Sequence, residues 1–238
     1  MAVFAISDLH LAYGIDKPMD IFGDRWTNYM QKIKDNWQKT VGNDDFVIVP
    51  GDISWATYLE QALEDFKFIE SLPGRKIISK GNHDYWWTTM SKLQKFLVEN
   101  DFKTISFMHN NSLKVDEYII CGTRGWKCPG DDEFGAEDRK IYDRELNRLE
   151  LSLKSASVFS EDKSIIVAMH YPPFNPAGEP SDFVEIMRKY NTKMCIYGHL
   201  HGNSFKGAVT GIVQGIEFKL VSADYLNFEP LLLSLQNF

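Results

Sequence analysis

Eight residues able to bind a metal or move a proton stand where short apolar runs of this chain end. Asp8 and His10 follow Val3 to Ser7, Asp52 follows Asp45 to Pro50, and Asn82 and His83 follow Lys76 to Ser79. His170 follows Ser164 to Met169, and His199 and His201 follow Met194 to Tyr197. Five of the 6 histidines are in that set, and only His109 lies outside it. Imidazoles and carboxylates with one amide and no thiolate suit Mn, Fe, Zn or Ni better than a soft metal. Without His83, seven ligand candidates remain: too many for one ordinary transition ion, and about right for two that share a carboxylate. Two ions about 3.5–4 Å apart are the usual device for in-line displacement at phosphate esters. Taken alone, Gly81-Asn82-His83-Asp84 is also ordinary turn chemistry. The recurrence at five strand ends is what gives the pattern weight.

The elements that must position these residues are legible as well. At an extended strand end, residues i and i+2 project to one face, so Asp8 and His10 converge. Asp24 to Val41 carries Trp26, Tyr29, Ile33 and Trp37 at helical spacing, and Leu59 to Leu72 repeats the pattern until Pro73-Gly74 stops it. Thr88 to Glu99 reads as a third helix. Three strand–helix units in succession predict a parallel sheet with right-handed crossovers. Farther on, Glu117 to Gly122 reads as a strand, Thr123 to Arg139 as a long loop, Ile141 to Phe159 as a helix and Ser181 to Tyr190 as a shorter one. The tail (Ser204 to Val209, Gly211 to Val213, Ile216 to Val221, Leu231 to Leu235) reads as antiparallel β structure. Ligands collect at the carboxyl ends of strands in open α/β sheets, which is where the eight residues fall.

Composition narrows the class. The 238 residues are 44% hydrophobic with no linker-like stretch, so residues 1–238 read as a single domain. A net charge of -7 and no basic run argue against a nonspecific nucleic-acid surface. No apolar run is long enough for a membrane span. Three cysteines without paired spacing, and an N-terminus lacking a basic region and a cleavage signal, read as a cytoplasmic protein.

Asp8-Leu9-His10, Gly51-Asp52, Gly81-Asn82-His83-Asp84, the lone His170 and Gly198-His199-Leu200-His201 resemble the five blocks of the calcineurin-like metallophosphoesterase superfamily. The resemblance implies an α/β/β/α sandwich of two mixed sheets, a metallo-dependent phosphatase-like fold with a dinuclear centre at one edge. It also implies that Asp8, His10 and His201 hold one divalent transition ion, that Asn82, His170 and His199 hold the other, and that Asp52 bridges them. His83 would then protonate the leaving oxygen or stabilise its charge, while Asp84 would either orient His83 or fix the turn backbone. The activity implied is phosphatase or phosphodiesterase hydrolysis of a small phosphorylated or nucleotide substrate by a metal-bridged hydroxide.

The chain departs from the protein phosphatase branch of that superfamily. Its second block continues Ile53-Ser54-Trp55-Ala56 and lacks that branch's acid and phosphate-binding arginine. Loop cations Arg124, Lys127 and Arg139 are candidates to replace the arginine, with solvated surface charge as the plainer reading. Trp86, Trp87, Trp126 and Phe174 could stack on a base, against core packing as the default. A nuclease and a non-catalytic metal-binding scaffold are the alternatives; acidic charge weighs against the first and the retained His83 against the second.

Overall fold

Apolar side chains alternate along the central strands, so each strand face has its own place to be buried. The computed structural model describes residues 1–17, 19–131, 133–159 and 163–235. In chain order the elements are β1 (Val3–Ala5), α1 (Tyr29–Thr40), β2 (Phe46–Pro50), α2 (Leu63–Ser71), β3 (Arg75–Ser79), α3 (Met90–Glu99), β4 (Ile105–Phe107), β5 (Leu113–Val115) and β6 (Tyr118–Thr123). There follow α4 (Ala136–Ser155), β7 (Ser164–Met169), α5 (Asp182–Lys189), β8 (Met194–Tyr197), β9 (Gly211–Val213), β10 (Ile216–Leu220) and β11 (Leu231–Leu232). One sheet has the order β11-β1-β2-β3-β4, and the other β5-β6-β7-β8-β10-β9. Strands β1 to β4 are parallel, as are β6, β7, β8 and β10. Antiparallel β11, β5 and β9 sit at the edges, so both sheets are mixed.

The alternation sorts side chains into three cores. Val3, Ala5, Ile48, Ile77, Ile166, Ala168, Met194 and Ile196 fill the space between the sheets. Phe4, Val47, Val49 and Ile78 face the other way, onto Ile33, Trp37, Phe66, Ile69 and Leu93 of the first three helices. Val167, Met169, Cys195 and Tyr197 pack beneath Tyr142, Leu149 and Leu153 of α4 and Phe183 and Met187 of α5. The result is the helix–sheet–sheet–helix sandwich that the family resemblance implies.

Both sheets point the ends of their parallel strands at one edge, and they are pinned together there. Ser7 donates from its amide to the Val221 carbonyl (2.7 Å), and its own carbonyl accepts from the Ala223 amide (2.9 Å), as a parallel bridge between the continuations of β1 and β10. Every sequence-identified site residue therefore emerges at the same rim.

The tail differs from its expected antiparallel layout. Residues Gly202–Gly207 form a 3-10 helix rather than a strand. Both neighbours of β8 are already strands, β7 and β10, so no edge remains for that segment to pair with. Strands β9 and β10 do form a hairpin, turning at Gln214 and Gly215 with φ of 51° and 80°, the left-handed pair that tight hairpins require. Strand β10 nevertheless runs parallel to β8, and β11 crosses to the other sheet. Strands β4 and β5, three residues each, are additions to the sequence reading. Helix α4 begins at Ala136, which shortens the expected loop, of which residue 132 lies outside the described residues.

Ala168 lies between the sheets with no exposed surface, two residues below His170. Overpacking there should cost about 1–3 kcal/mol. We expect Ala168→Leu to lower the urea midpoint accordingly; an unchanged midpoint would mean that the inter-sheet core is looser than described.

Candidate metal centre

Backbone strain is concentrated where the chemistry would be. Asp8, His10, Asp52 and His199 have φ of 58°, 46°, 52° and 71°, in the left-handed region that non-glycine residues seldom occupy. Each such residue costs on the order of 1–3 kcal/mol and persists only where its surroundings over-determine it. They do so here: Asp8 donates from its amide to the Gly51 carbonyl (3.0 Å), and His10 to the Asp52 carbonyl (3.0 Å). The His199 amide donates to the Asp8 carboxylate (3.0 Å). Glycines permit the close approach. A Cβ on Gly51 would lie 2.6 Å from Gly81 Cα and 2.7 Å from His170 Nδ1, and one on Gly198 would collide with the Asp8 carboxylate.

The donor atoms form two clusters. In one, His201 Nε2 lies 3.3 Å from Asp8 Oδ1 and 3.3 Å from His10 Nε2. In the other, Asn82 Oδ1 lies 2.6 Å from His170 Nε2 and 2.9 Å from His199 Nδ1. Asp52 stands between them, with Oδ2 3.8 Å from His10 Nε2 and 3.5 Å from His170 Nε2. Its other oxygen accepts the His83 amide (2.8 Å), which fixes Oδ2 in that direction. Asp8, His10 and His201 converge closely enough to hold one ion, as do Asp8, Asp52 and His170. All seven ligand candidates from the sequence are thus brought together.

Neighbouring groups aim the ligands. The His170 ring faces the Pro50 carbonyl through Nδ1 (3.2 Å); a carbonyl only accepts, so the proton is on Nδ1 and the Nε2 lone pair points inward. Asp224 accepts from His201 Nδ1 (2.8 Å), the carboxylate–histidine pairing that commonly supports a metal ligand. Asp224 was not singled out in the sequence, although it too follows a strand, β10. Ser7 donates its hydroxyl to Asp8.

Of the two roles left open for Asp84, its contacts are those of the turn. The buried carboxylate accepts from the amides of Gly81 (2.7 Å), Ile53 (2.8 Å) and Asp52 (2.9 Å) and from Trp86 Nε1 (3.1 Å). It does not orient His83, whose Nδ1 is buried without a hydrogen-bond partner among the described residues. Asp84 ties the second block of the site to the third.

The electrostatics fit a cation. Burial and the adjacent Asp8 carboxylate push Asp52 above the usual carboxylate range. Burial and the other imidazoles hold His199 down to about 3, and His10 and His170 are lowered mainly by burial, so these rings keep their lone pairs. Burial opposes a charge on His201, but hydrogen bonds to Asp224 and Asp8 outweigh it and raise the ring to about 10. Two buried carboxylates, with neutral His170 and His199 facing each other at 3.3 Å, form a donor set that a divalent ion would complete. These residues fit the metals that their types imply.

A cleft of about 650 Å³ opens beside Asp8, His10 and His201, lined by His10, His83, His201, Trp26, Trp55 and Arg25. Trp55 stacks on His10 (centroids 4.7 Å apart) and packs against His83 (4.6 Å). None of Trp86, Trp87, Trp126 and Phe174 lines it; all four belong to or pack against the two outer cores. Sequence reading missed Trp55, which has no periodic signal, and took Trp26 only as packing. The loop cations are paired: Arg124 with Glu145 (3.6 Å), Lys127 with Asp138 (3.3 Å) and Arg139 with Asp143 (3.6 Å).

The profile of the calcineurin-like phosphoesterase family matches residues 1–203. Among solved structures, the chain is similar to AQ665, a protein of unknown function from Aquifex aeolicus, at 18% identity and a TM-score of 0.53, over 97% of this chain and 95% of that one. It is also similar to GAP50, the anchor in the inner membrane complex of Plasmodium, at 15% identity and a TM-score of 0.44, over 94% and 72% of the two chains. No curated protein matches.

Removing the Asp84 carboxylate would leave three buried amides without an acceptor, at about 1–3 kcal/mol each. We expect Asp84→Ala to lose at least about 3 kcal/mol of unfolding free energy in urea. An unchanged unfolding curve would show that the turn does not depend on it.

Proposed function

The chain belongs to the calcineurin-like phosphoesterase family of metal-dependent phosphoric ester hydrolases, and from that premise we propose a dinuclear enzyme acting on phosphate mono- or diesters of a small phosphorylated or nucleotide substrate. The observation that carries this reading is the Asp52 carboxylate, whose Oδ2 lies within 4 Å of one imidazole nitrogen from each donor cluster. Asp8, His10 and His201 would hold one ion, Asn82, His170 and His199 the other, and Asp52 both. Their donor types select Mn, Fe, Zn or Ni. Such a pair of ions, when bound, supplies a water of lowered pKa and stabilises charge on the phosphoryl oxygens.

The remaining steps belong to side chains. His83 lines the cleft beside the donor clusters and donates a ring N–H to the leaving oxygen. Burial, then the nearby His170 and Lys17, hold His83 down to about 4; a neutral imidazole still carries one N–H, so this role does not depend on its charge. Trp55 packs against the ring and limits its motion. The organic part of the substrate occupies the cleft against Trp26 and Trp55, with Lys17 over the Trp55 ring (3.4 Å) and Arg25 in the wall to meet negative charge. A volume of about 650 Å³ suits a small molecule rather than a polynucleotide. We read residues 1–238 as one such domain. Among the described residues no helix is long and apolar enough to cross a membrane. The three cysteines are free and buried, which supports a reducing, cytoplasmic setting.

The test is hydrolysis of p-nitrophenyl phosphate, phenyl phosphate and bis-p-nitrophenyl phosphate with each metal added in turn. His83→Ala should keep its metal and lose about 10²–10⁴-fold in kcat, more for phenyl phosphate, whose poorer leaving group carries more negative charge for the N–H to stabilise. Asp52→Asn should lose both metal and turnover. Wild-type rates in His83→Ala would refute the assignment of His83.

A further inference from the structure

A second cavity, of about 180 Å³, opens on the other side of the donor clusters and shares no lining residue with the cleft. Its wall includes Lys80, His109, Arg124, Arg144, Arg148 and Glu145. Lys80 follows β3 directly, two residues before Asn82, so its backbone is within about 7 Å of that candidate ligand's. The Arg124 carbonyl accepts the His170 amide (3.2 Å) and the Tyr171 amide (2.9 Å). The cavity therefore shares the rim of the metal centre, lying toward β4 and β6, whereas the cleft lies toward β1 and the residues after β10.

Its charge is not balanced. Arg144 and Arg148 share one face of α4, and Arg124 reaches the same place from the end of β6. All three converge on the fully buried Glu145, at 3.8, 2.7 and 3.6 Å. The second Glu145 oxygen is occupied by the Thr123 hydroxyl (2.6 Å). Lys80 has no hydrogen bond or ion pair among the described residues, and Arg124 Nε is buried without a partner. Four cations thus face a single carboxylate in a space the size of a small oxyanion. Guanidinium groups arranged around a small cavity match the fork geometry of phosphate. Burial and the Arg148 charge keep His109 below its usual range, so it adds a neutral ring that can donate or accept.

We propose that this cavity is an anion subsite that takes a phosphate-class oxyanion beside the metal centre. The occupant is either a second phosphoryl group of the substrate, which rests on the phosphoesterase reading, or free orthophosphate, which does not. Lys127 and Arg139, paired elsewhere, have no part in it.

The test has two arms, run on metal-loaded wild type, on Arg148→Gln and on Arg144→Gln, whose side chain is half exposed and so spares the fold. In the first, kcat/KM is compared for butyl phosphate and butane-1,4-diyl bisphosphate. A wild-type preference of about tenfold for the bisphosphate, lost in both variants while butyl phosphate turnover holds, identifies the second phosphoryl group as the occupant. In the second, radiolabelled orthophosphate is counted per chain by equilibrium dialysis. If no preference is seen but both variants bind one phosphate fewer than wild type, free orthophosphate is the occupant. No preference together with equal phosphate counts would overturn the subsite and leave the arginines as partners of Glu145 alone. Failure to turn over either ester, with bis-p-nitrophenyl phosphate also left intact, would refute the phosphoesterase reading, and the phosphate count would still decide the cavity.

Discussion

Two buried carboxylates set the terms for this fold. Asp8 and Asp52 lie at the join of the sheets with almost no exposed surface, and burying such charges is tolerated only where they are paired. Protein groups meet part of that need: Ser7 and the His199 amide hold Asp8, the His83 amide holds Asp52, and His201 leans on Asp8 from the side where Asp224 supports it. Burial and the adjacent Asp8 carboxylate push Asp52 up, the direction expected where a buried negative charge is short of partners. On the proposed reading, divalent cations held beside Asp52 would complete the arrangement. The rest of the structure delivers donors to that point.

The delivery depends on backbone that would be unfavourable elsewhere. Four of the candidate ligand residues hold left-handed φ, and glycines stand where a Cβ would separate the strand ends. The strands beneath them are packed on both faces, so the strained turns are anchored on rigid elements. Asp84 then gathers the amides of two successive turns onto one carboxylate, and so couples the position of Asp52 to that of Asn82 and His83. Chemistry at this rim is flanked on one side by an aromatic cleft and on the other by a small basic cavity. That asymmetry suits a substrate whose organic body and whose further charge lie on opposite sides of the reacting phosphorus.

Much of this was legible in the sequence because metal chemistry restricts residue type and β structure restricts position. His170 or His199 alone says little, but histidines after one buried run after another point to a common rim. The continuous apolar runs of β7 and β8 likewise gave their bounds without error. What stayed hidden depends on pairing at a distance. Asp224 follows β10 just as Asp52 follows β2, but no histidine marks it. The run around Phe205 looked extended, yet the sheet had no free edge for it. The basic cavity joins residues from β3, β6 and α4, and only the folded chain shows that Lys80 and Arg148 are neighbours.

The central claim is that two ions share Asp52. The most direct measurement is an anomalous difference map from crystals of the Mn-loaded protein. The account requires two peaks about 3.5–4 Å apart, one among Asp8, His10 and His201 and one among Asn82, His170 and His199, with the Asp52 carboxylate between them. A single peak at full occupancy, or a second peak away from Asp52, would contradict it.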